Sequence, residues 1–155
     1  MANILIVDDE RDILEQLPEI IQRWGHQTFT ASNGFEALKV FEHHKIDLVI
    51  SDIKMPVMNG YELLQKVQEI DKQCVVLFLT GYPSLDSAVD AMQSGAEDYL
   101  IKPVNFDELK LKIDRSLART AKIKSVPILR GLNWILIILI PFWLILGIIV
   151  AKLLR

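Results

Sequence analysis

Four short apolar runs in this sequence each end in a side chain that could take part in chemistry. The runs are "NILIVD" (3–8), ending in Asp8 with Asp9 next to it, "DLVISD" (47–52), ending in Asp52, "CVVLFLT" (74–80), ending in Thr80, and "AEDYLIK" (96–102), ending in Lys102. Carboxylates, a hydroxyl and an ammonium brought together can hold a hard cation and neutralise the charge of an oxygen-rich group. The question is whether the fold brings them together.

The runs predict strands of a parallel sheet. They are rich in β-branched residues and continuously apolar, which is typical of strands covered on both faces. A weaker run, "HQTFTA" (26–31), predicts a fifth strand. Between the runs, apolar residues recur at steps of three and four, which predicts helices. These predicted helices cover 11–24, the segment around 37–41, 60–70, 85–94 and 106–120, with Ser84 and Asn105 as N-caps and Gly95 as a stop.

Strand and helix alternate five times, so the predicted fold class is α/β, a doubly wound parallel sheet with right-handed crossovers. The carboxyl ends of parallel strands meet at one edge, where such sheets bind ligands. Neighbouring carboxylates raise one another's pKa unless a cation lies among them, and Mg²⁺ suits hard oxygen ligands. With Lys102 as a positive charge and Thr80 as a donor, this edge could stabilise a phosphoryl group transferring to a carboxylate.

Four sequence blocks carry a resemblance to a known family. They are "ILIVDDE", "DLVISDIKMPVMNGYELL", "LFLTGY" and "GAEDYLIKPVNFDELK". In this order and at this spacing they resemble the CheY-like receiver domain of two-component response regulators, over about residues 3–120. The resemblance implies a flavodoxin-like fold with five parallel strands in the order 2-1-3-4-5.

For the site, the resemblance implies that Asp52 accepts a phosphoryl group from a histidine kinase or a phosphotransfer protein. Asp9 and Asp52 would bind Mg²⁺, helped by Asp8 through water and by the backbone carbonyl of Lys54. The chain would then be a phosphoacceptor signalling domain that catalyses its own phosphotransfer and dephosphorylation, and not an enzyme with a separate substrate.

The resemblance also implies how phosphorylation is sensed. Lys102 would contact the phosphoryl oxygens, Thr80 would move towards them, and Tyr99 would turn inward behind Thr80 as the second switch residue. The Lys102–Pro103 peptide bond would be cis, which is accessible only before proline. The surface of the fourth helix, fifth strand and fifth helix would carry the signal to a partner.

The last part of the chain differs in character. Hydrophobic residues make up 51% of the sequence, and the stretch Asn133–Ala151 contains no charge. The residues from Trp134 to Ala151 would span about 27 Å as a helix, close to the hydrocarbon core of a bilayer. We therefore predict a receiver domain over 1–121, a basic linker over 122–131 and a C-terminal hydrophobic helix over 132–155 that anchors the chain in a membrane.

Charge predicts the orientation and the class of partner. Residues 1–121 carry 12 bases and 20 acids, whereas residues 122–155 carry bases alone. Basic residues before the apolar stretch predict a single-pass protein with its receiver on the cytoplasmic face of the cell membrane. An acidic domain argues against nucleic acid as a partner. Two other readings of the tail stay open: an extra core or oligomerising helix, and a segment that bends at Pro141 and returns or lies in the interface.

Three functions are compatible with the sequence. The preferred one is a membrane-tethered receiver, contacting the membrane through 132–154, whose phosphorylation alters binding to an unknown membrane-proximal protein. The second is a phosphate sink or relay without an output partner. The third is a membrane adaptor that is not phosphorylated. Whether the receiver forms a homodimer on phosphorylation is left open.

Overall fold

The computed structural model describes residues 1–81, 85–124 and 152, and of residues 85–88 and 122–124 it describes the backbone alone. Five strands and five helices alternate within these residues. They are β1 Asn3–Val7, α1 Arg11–Arg23, β2 Gln27–Ala31, α2 Gly34–His43, β3 Leu48–Asp52, α3 Gly60–Ile70, β4 Val75–Thr80, α4 Leu85–Gln93, β5 Asp98–Ile101 and α5 Phe106–Lys124. The chain divides into two compact units, Met1–Thr120 and Ala121–Arg155.

The first unit contains one parallel sheet, and its strand order is β2-β1-β3-β4-β5. The predicted fold class and the predicted order 2-1-3-4-5 are thus confirmed. The register places Asp52 beside Leu79 and Thr80 beside Ile101. The ends of β3, β4 and β5 consequently lie at one edge of the sheet, as the prediction of a common site requires.

Two apolar layers lie on the two faces of the sheet. Leu5 and Val7 of β1 belong to the layer that includes residues of α2, α3 and α4. Ile4 and Ile6 belong to the layer that includes residues of α1 and α5. Neighbouring strand residues point to opposite faces, so a strand covered on both sides must be apolar throughout. Each fully buried aliphatic side chain contributes about 1.5–3 kcal/mol relative to exposure.

Helix caps hold the loops at both edges of the sheet. Asn59 and Glu62 form a capping box in which the side chain of each residue accepts a hydrogen bond from the backbone N–H of the other. Asn105 caps α5, because its Oδ1 accepts hydrogen bonds from the N–H groups of residues 107 and 108. Gly95 follows α4 with φ +94°, in the left-handed region that favours glycine. Both the Asn105 cap and the Gly95 stop were predicted, whereas Ser84 lies outside the described residues.

Apart from shifts of a single residue and the approximate bounds expected for α2, two element bounds differ from the prediction. β5 begins at Asp98 and not at Ala96, because the N–H of Ala96 still bonds to the carbonyl of Ala91 in the last turn of α4. α5 continues to Lys124, which lies within the predicted linker 122–131.

The predicted anchor helix, 132–155, lies outside the described residues except for Lys152. Among the helices in the described part of the chain, none combines the length and apolarity needed to cross a membrane. The single-pass topology therefore stays a prediction.

Candidate phosphoacceptor site

Four neighbouring strands deliver the candidate residues to one edge of the sheet. Asp8 directly follows β1, Asp52 and Thr80 are the last residues of β3 and β4, and Lys102 directly follows β5. Asp8, Asp52 and Thr80 are buried, and the Lys102 side chain is 10% exposed. Polar groups removed from water in this way need partners of opposite charge or complementary hydrogen bonding.

Lys102 lies among three carboxylates. Its Nζ is 2.8 Å from Asp8 Oδ2, 2.6 Å from Glu10 Oε1 and 2.9 Å from Asp52 Oδ2. Burial alone would lower the pKa of the Lys102 ammonium, but its contacts with the carboxylates of Asp8, Glu10 and Asp52 outweigh burial and raise that pKa above its ordinary value. Lys102 is therefore a permanent positive charge at neutral pH, in the position that the sequence predicted.

Asp8 is the most deeply buried of these acids, at 1% exposure. Its Oδ1 accepts a hydrogen bond from the N–H of Glu10 at 2.9 Å. Its Oδ2 is within ion-pair distance of Lys102 Nζ but, among the described residues, receives no well-directed hydrogen bond. Burial raises the pKa of the Asp8 carboxyl, and the contacts with Lys102 and the Glu10 N–H only partly offset this effect. Asp8 thus has an oxygen with unused capacity to bind a cation.

Asp52 uses its two oxygens differently. Oδ1 accepts a hydrogen bond from the backbone N–H of Lys54 at 3.1 Å, and Oδ2 accepts one from Lys102 Nζ. A cavity of about 470 Å³ opens beside it. The residues that line this cavity are Asp9, Glu10, Asp52, Lys54 and Gly81. The carboxylate of Asp52 is therefore both oriented by the protein and accessible from outside.

The oxygen donors suit a magnesium ion. The carboxylates of Asp8, Glu10 and Asp52 each offer an oxygen, and these oxygens lie within 4.8 Å of one another. Hard oxygen ligands with room for water are what Mg²⁺ requires, and buried Asp8 Oδ2 accepts no well-directed hydrogen bond from the described residues. The residues present therefore fit the ion. When bound, Mg²⁺ would supply positive charge to the oxygens of a transferring phosphoryl group.

The arrangement of the acids brings in one residue that was not predicted. Glu10 joins Asp8 and Asp52 in the closest group of carboxylates, whereas Asp9 is exposed and lines the cavity, and its role as a metal ligand stays a prediction. The hydrogen bond from the N–H of Glu10 to Asp8 Oδ1 turns the chain back towards Lys102. In the sequence Glu10 is the third acid of "VDDE". The spacing of these acids alone does not show whether its side chain reaches the site.

The predicted switch residues lie on the adjacent strands β4 and β5. Thr80 is buried at the end of β4, and half-buried Tyr99 packs against the apolar layer shared by α2, α3 and α4. The Lys102–Pro103 peptide bond is cis, as the resemblance implied. The N–H of Lys54 contacts Asp52, whereas a metal-binding role for its carbonyl and the movements of Thr80 and Tyr99 stay predictions.

Comparisons with known families and proteins show what this chain is similar to. The model of the response regulator receiver domain matches residues 4–114. The transcriptional regulatory protein ZraR of Klebsiella oxytoca is 41% identical over 119 residues, which are 77% of this chain and 27% of ZraR. The regulatory protein AtoC of Escherichia coli (strain K12) is 37% identical over 123 residues, 79% of this chain and 27% of AtoC. This chain thus spans about a quarter of the length of these curated relatives.

Solved structures show the same similarity. The response regulator protein TrrA of Thermotoga maritima, in complex with Mg²⁺ and BeF, is 41% identical with a TM-score of 0.68, covering 76% of this chain and all of that one. A receiver domain protein from Clostridium thermocellum is 36% identical with a TM-score of 0.75, covering 79% of this chain and 99% of that one.

A parallel sheet with a lysine among acids at its carboxyl edge defines a phosphoacceptor module. The chain belongs to the response regulator receiver family. Receiver domains are phosphorylated by histidine kinases or phosphotransfer proteins and use Mg²⁺ at an acidic pocket, and in this chain the carboxylates of Asp8, Glu10 and Asp52 lie close together.

Proposed function

We propose that this chain is a phosphorylation-activated receiver in which Asp52 accepts the phosphoryl group. A histidine kinase or phosphotransfer protein is the donor, and Mg²⁺ is held by Asp8, Asp9 and Asp52, with the carbonyl of Lys54. The observation that carries the proposal is the contact of Lys102 Nζ with carboxylates from two different strand ends, 2.8 Å from Asp8 and 2.9 Å from Asp52.

The chemistry follows from this placement. A carboxylate oxygen of Asp52 attacks the phosphorus of a phosphohistidine, an O–P bond forms, and the P–N bond breaks. The leaving imidazole takes the electron pair and is protonated. The Lys102 ammonium, which now neutralises carboxylates, is within reach of the new phosphoryl oxygens, where it stabilises the charge spread over them. Thr80 and Tyr99 would then respond to the added charge.

Phosphoryl labelling tests the role of Asp52. The full chain is incubated with acetyl phosphate and Mg²⁺, and intact-mass measurement counts the phosphoryl groups. We expect one group per chain, with none in Asp52→Asn or after chelation of Mg²⁺, because a carboxamide is not a nucleophile for this transfer. Asp71→Asn is the matched control, since Asp71 lies in the loop before β4, away from the site. Equal labelling of Asp52→Asn and the native chain would contradict the proposal.

The second part of the proposal concerns the location of the chain and the protein that receives its signal. The uncharged stretch Asn133–Ala151, long enough to cross a bilayer, supports a receiver tethered to the cytoplasmic face of the membrane. The partner would be a membrane-proximal protein that recognises the phosphorylated form. The relatives are regulatory proteins by name. This chain spans only about a quarter of their length, so the proposal does not extend their other activities to it.

Fractionation tests the tether. The full chain should stay in the membrane pellet after an alkaline carbonate wash, and a chain ending at Ala121 should be released. Release of the full chain would remove the tether from the proposal. Capture of membrane proteins with beryllofluoride-activated and unactivated chain then tests the output, because a phosphate sink would retain the same proteins in both states.

A further inference from the structure

Tyr61 is a half-buried aromatic residue in the first turn of α3 that the phosphoacceptor chemistry does not use. It lines two cavities. One, of about 580 Å³, lies on the side of the site and includes Asp9, Lys54 and Pro56 in its wall. The other, of about 340 Å³, is the groove lined by Tyr61 with Asp90, Gln93 and Ser94, at the last turn of α4. One side chain therefore borders both the site and a surface that includes α4.

The ring of Tyr61 packs against the ring of Phe78 on β4. Its centroid lies 5.1 Å from that of Phe78, at an interplanar angle of 66°, which is an edge-to-face contact. Phe78 is fully buried on β4, two residues before Thr80, and its register partner on β5 is Tyr99. Tyr61 therefore contacts a ring on the same strand as Thr80, at the register position of Tyr99.

The backbone before Tyr61 is tied to the phosphoacceptor strand. The N–H of Gly60 bonds to the carbonyl of Ile53 at 2.9 Å. A Cβ at position 60 would lie 2.4 Å from the carbonyl oxygen of Asp52 and 3.0 Å from the Phe78 ring, so only glycine allows this approach. The start of α3 is consequently held against the end of β3. The position of the Tyr61 ring therefore depends on the backbone at Asp52.

The other side of Tyr61 faces charge and the end of α4. Burial first, and then the proximity of Asp90 and Tyr99, raises the pKa of the Tyr61 hydroxyl. The hydroxyl therefore stays protonated at neutral pH and is able to donate a hydrogen bond. Further along α3, Gln68 Nε2 donates to the carbonyl of Gly95 at 3.1 Å, which ties α3 to the residues that follow α4.

We propose that Tyr61 is a positioning residue that couples the phosphoacceptor pocket to α4, through its ring contact with Phe78 and its place in the wall of the groove lined by Asp90, Gln93 and Ser94. The coupling rests on the proposed phosphorylation of Asp52. Phosphorylation displaces the Phe78–Tyr99 pair, the Tyr61 ring moves with it, and the groove at the end of α4 changes shape. The ring, and not the hydroxyl, transmits the change.

Hydrogen–deuterium exchange on the full chain tests this coupling. Exchange of α4 amides is measured with and without beryllofluoride and Mg²⁺, and labelling by acetyl phosphate is measured in parallel. We expect Tyr61→Leu and Tyr61→Ala to keep labelling within about twofold of the native chain and to lose more than about half of the activation-dependent change at α4. Tyr61→Phe, which keeps the ring, should retain that change.

Val67→Ala is the matched control for lost packing. Val67 is fully buried in α3 in the same apolar layer, but it does not line either cavity. It should lower stability while leaving the response of α4 intact. If Tyr61→Ala fails to fold, Tyr61→Leu decides the question. An unchanged α4 response in Tyr61→Leu, or an equal loss in Val67→Ala, would overturn the coupling. Absence of labelling in the native chain would instead overturn the proposed function, and the coupling with it.

Discussion

Lys102 and Lys112 are both largely buried and both lie among acids, but their surroundings differ. Lys102 contacts two carboxylates that are themselves buried, Asp8 and Asp52, beside an open cavity. Lys112, on α5, contacts Asp98 at 2.8 Å and the carbonyl of Tyr99 at 2.7 Å, and the Asp98 side chain is 42% exposed. Lys102 neutralises two carboxylates that are almost fully buried, whereas Lys112 joins α5 to β5 through partners that stay hydrated.

This difference in the exposure of the acids distinguishes a site that can act on a ligand, at Lys102, from a contact that joins two elements, at Lys112. An exposed acid shares its charge with water, so an ion pair made with it contributes little and has little spare capacity to act on a ligand. Buried acids in excess over their lysine leave negative charge that an added cation can neutralise. The number of ion pairs does not distinguish the two lysines, but the exposure of their carboxylate partners does.

The largest expected effect comes from Lys102→Met. Removing the ammonium leaves the phosphoryl oxygens without their protein cation, so the initial rate of labelling by acetyl phosphate should fall about a hundredfold or more. Far-UV circular dichroism in the presence of Mg²⁺ verifies folding. Lys112→Met is the control and should label within about twofold of the native rate. Equal losses in both variants would remove the distinction between the two lysines.

Asp8→Asn should have opposite effects on ion binding and on stability. Loss of a carboxylate should weaken Mg²⁺ affinity about tenfold or more, measured by calorimetric titration. Without divalent ions, however, the urea midpoint at neutral pH should rise. Because burial raises the pKa of the Asp8 carboxyl, its charged form destabilises the fold, and this cost is present above the folded-state pKa.

The sign of this effect gives a pH test. As the pH falls through the raised pKa of Asp8, the native chain takes up a proton and the cost of the buried charge disappears. The stability difference between the native chain and Asp8→Asn should therefore shrink towards acid pH. A difference that grows on acidification would mean that the contact with Lys102 outweighs burial at this residue.

The smallest of the three effects is expected for the stability of Lys112→Met. Its carboxylate partners, Asp98 and Glu108, are 42% and 51% exposed, so the ion pairs contribute little after solvent screening. The carbonyl of Tyr99 loses a charged donor, and the unfolding free energy should fall by about 1–2 kcal/mol. Urea denaturation measures the change. A loss as large as that of a buried ion pair, about 3–5 kcal/mol, would place Lys112 in the same class as Lys102.

Most of the site could be predicted because strand ends are readable in the sequence. Asp52, Thr80 and Lys102 each close an apolar run, and in a parallel sheet such ends share an edge. The contact between Glu10 and Lys102 could not be predicted, because the acids that follow β1 lie outside the strand and no strand alternation directs their side chains. In the structure the Glu10 N–H donates to Asp8 Oδ1, and Glu10 Oε1 lies 2.6 Å from Lys102 Nζ.

By itself the sequence determined the five strands, the five helices and the edge at which the polar side chains gather, because apolar periodicity and turn residues act over short stretches of chain. The order of the strands was implied by the resemblance to receiver domains. Only the tertiary structure decided which carboxylates are buried around Lys102, and it alone brought the rings of Tyr61 and Phe78 together. These contacts join residues far apart along the chain, and their burial, and with it their electrostatic strength, exists only after the layers have packed.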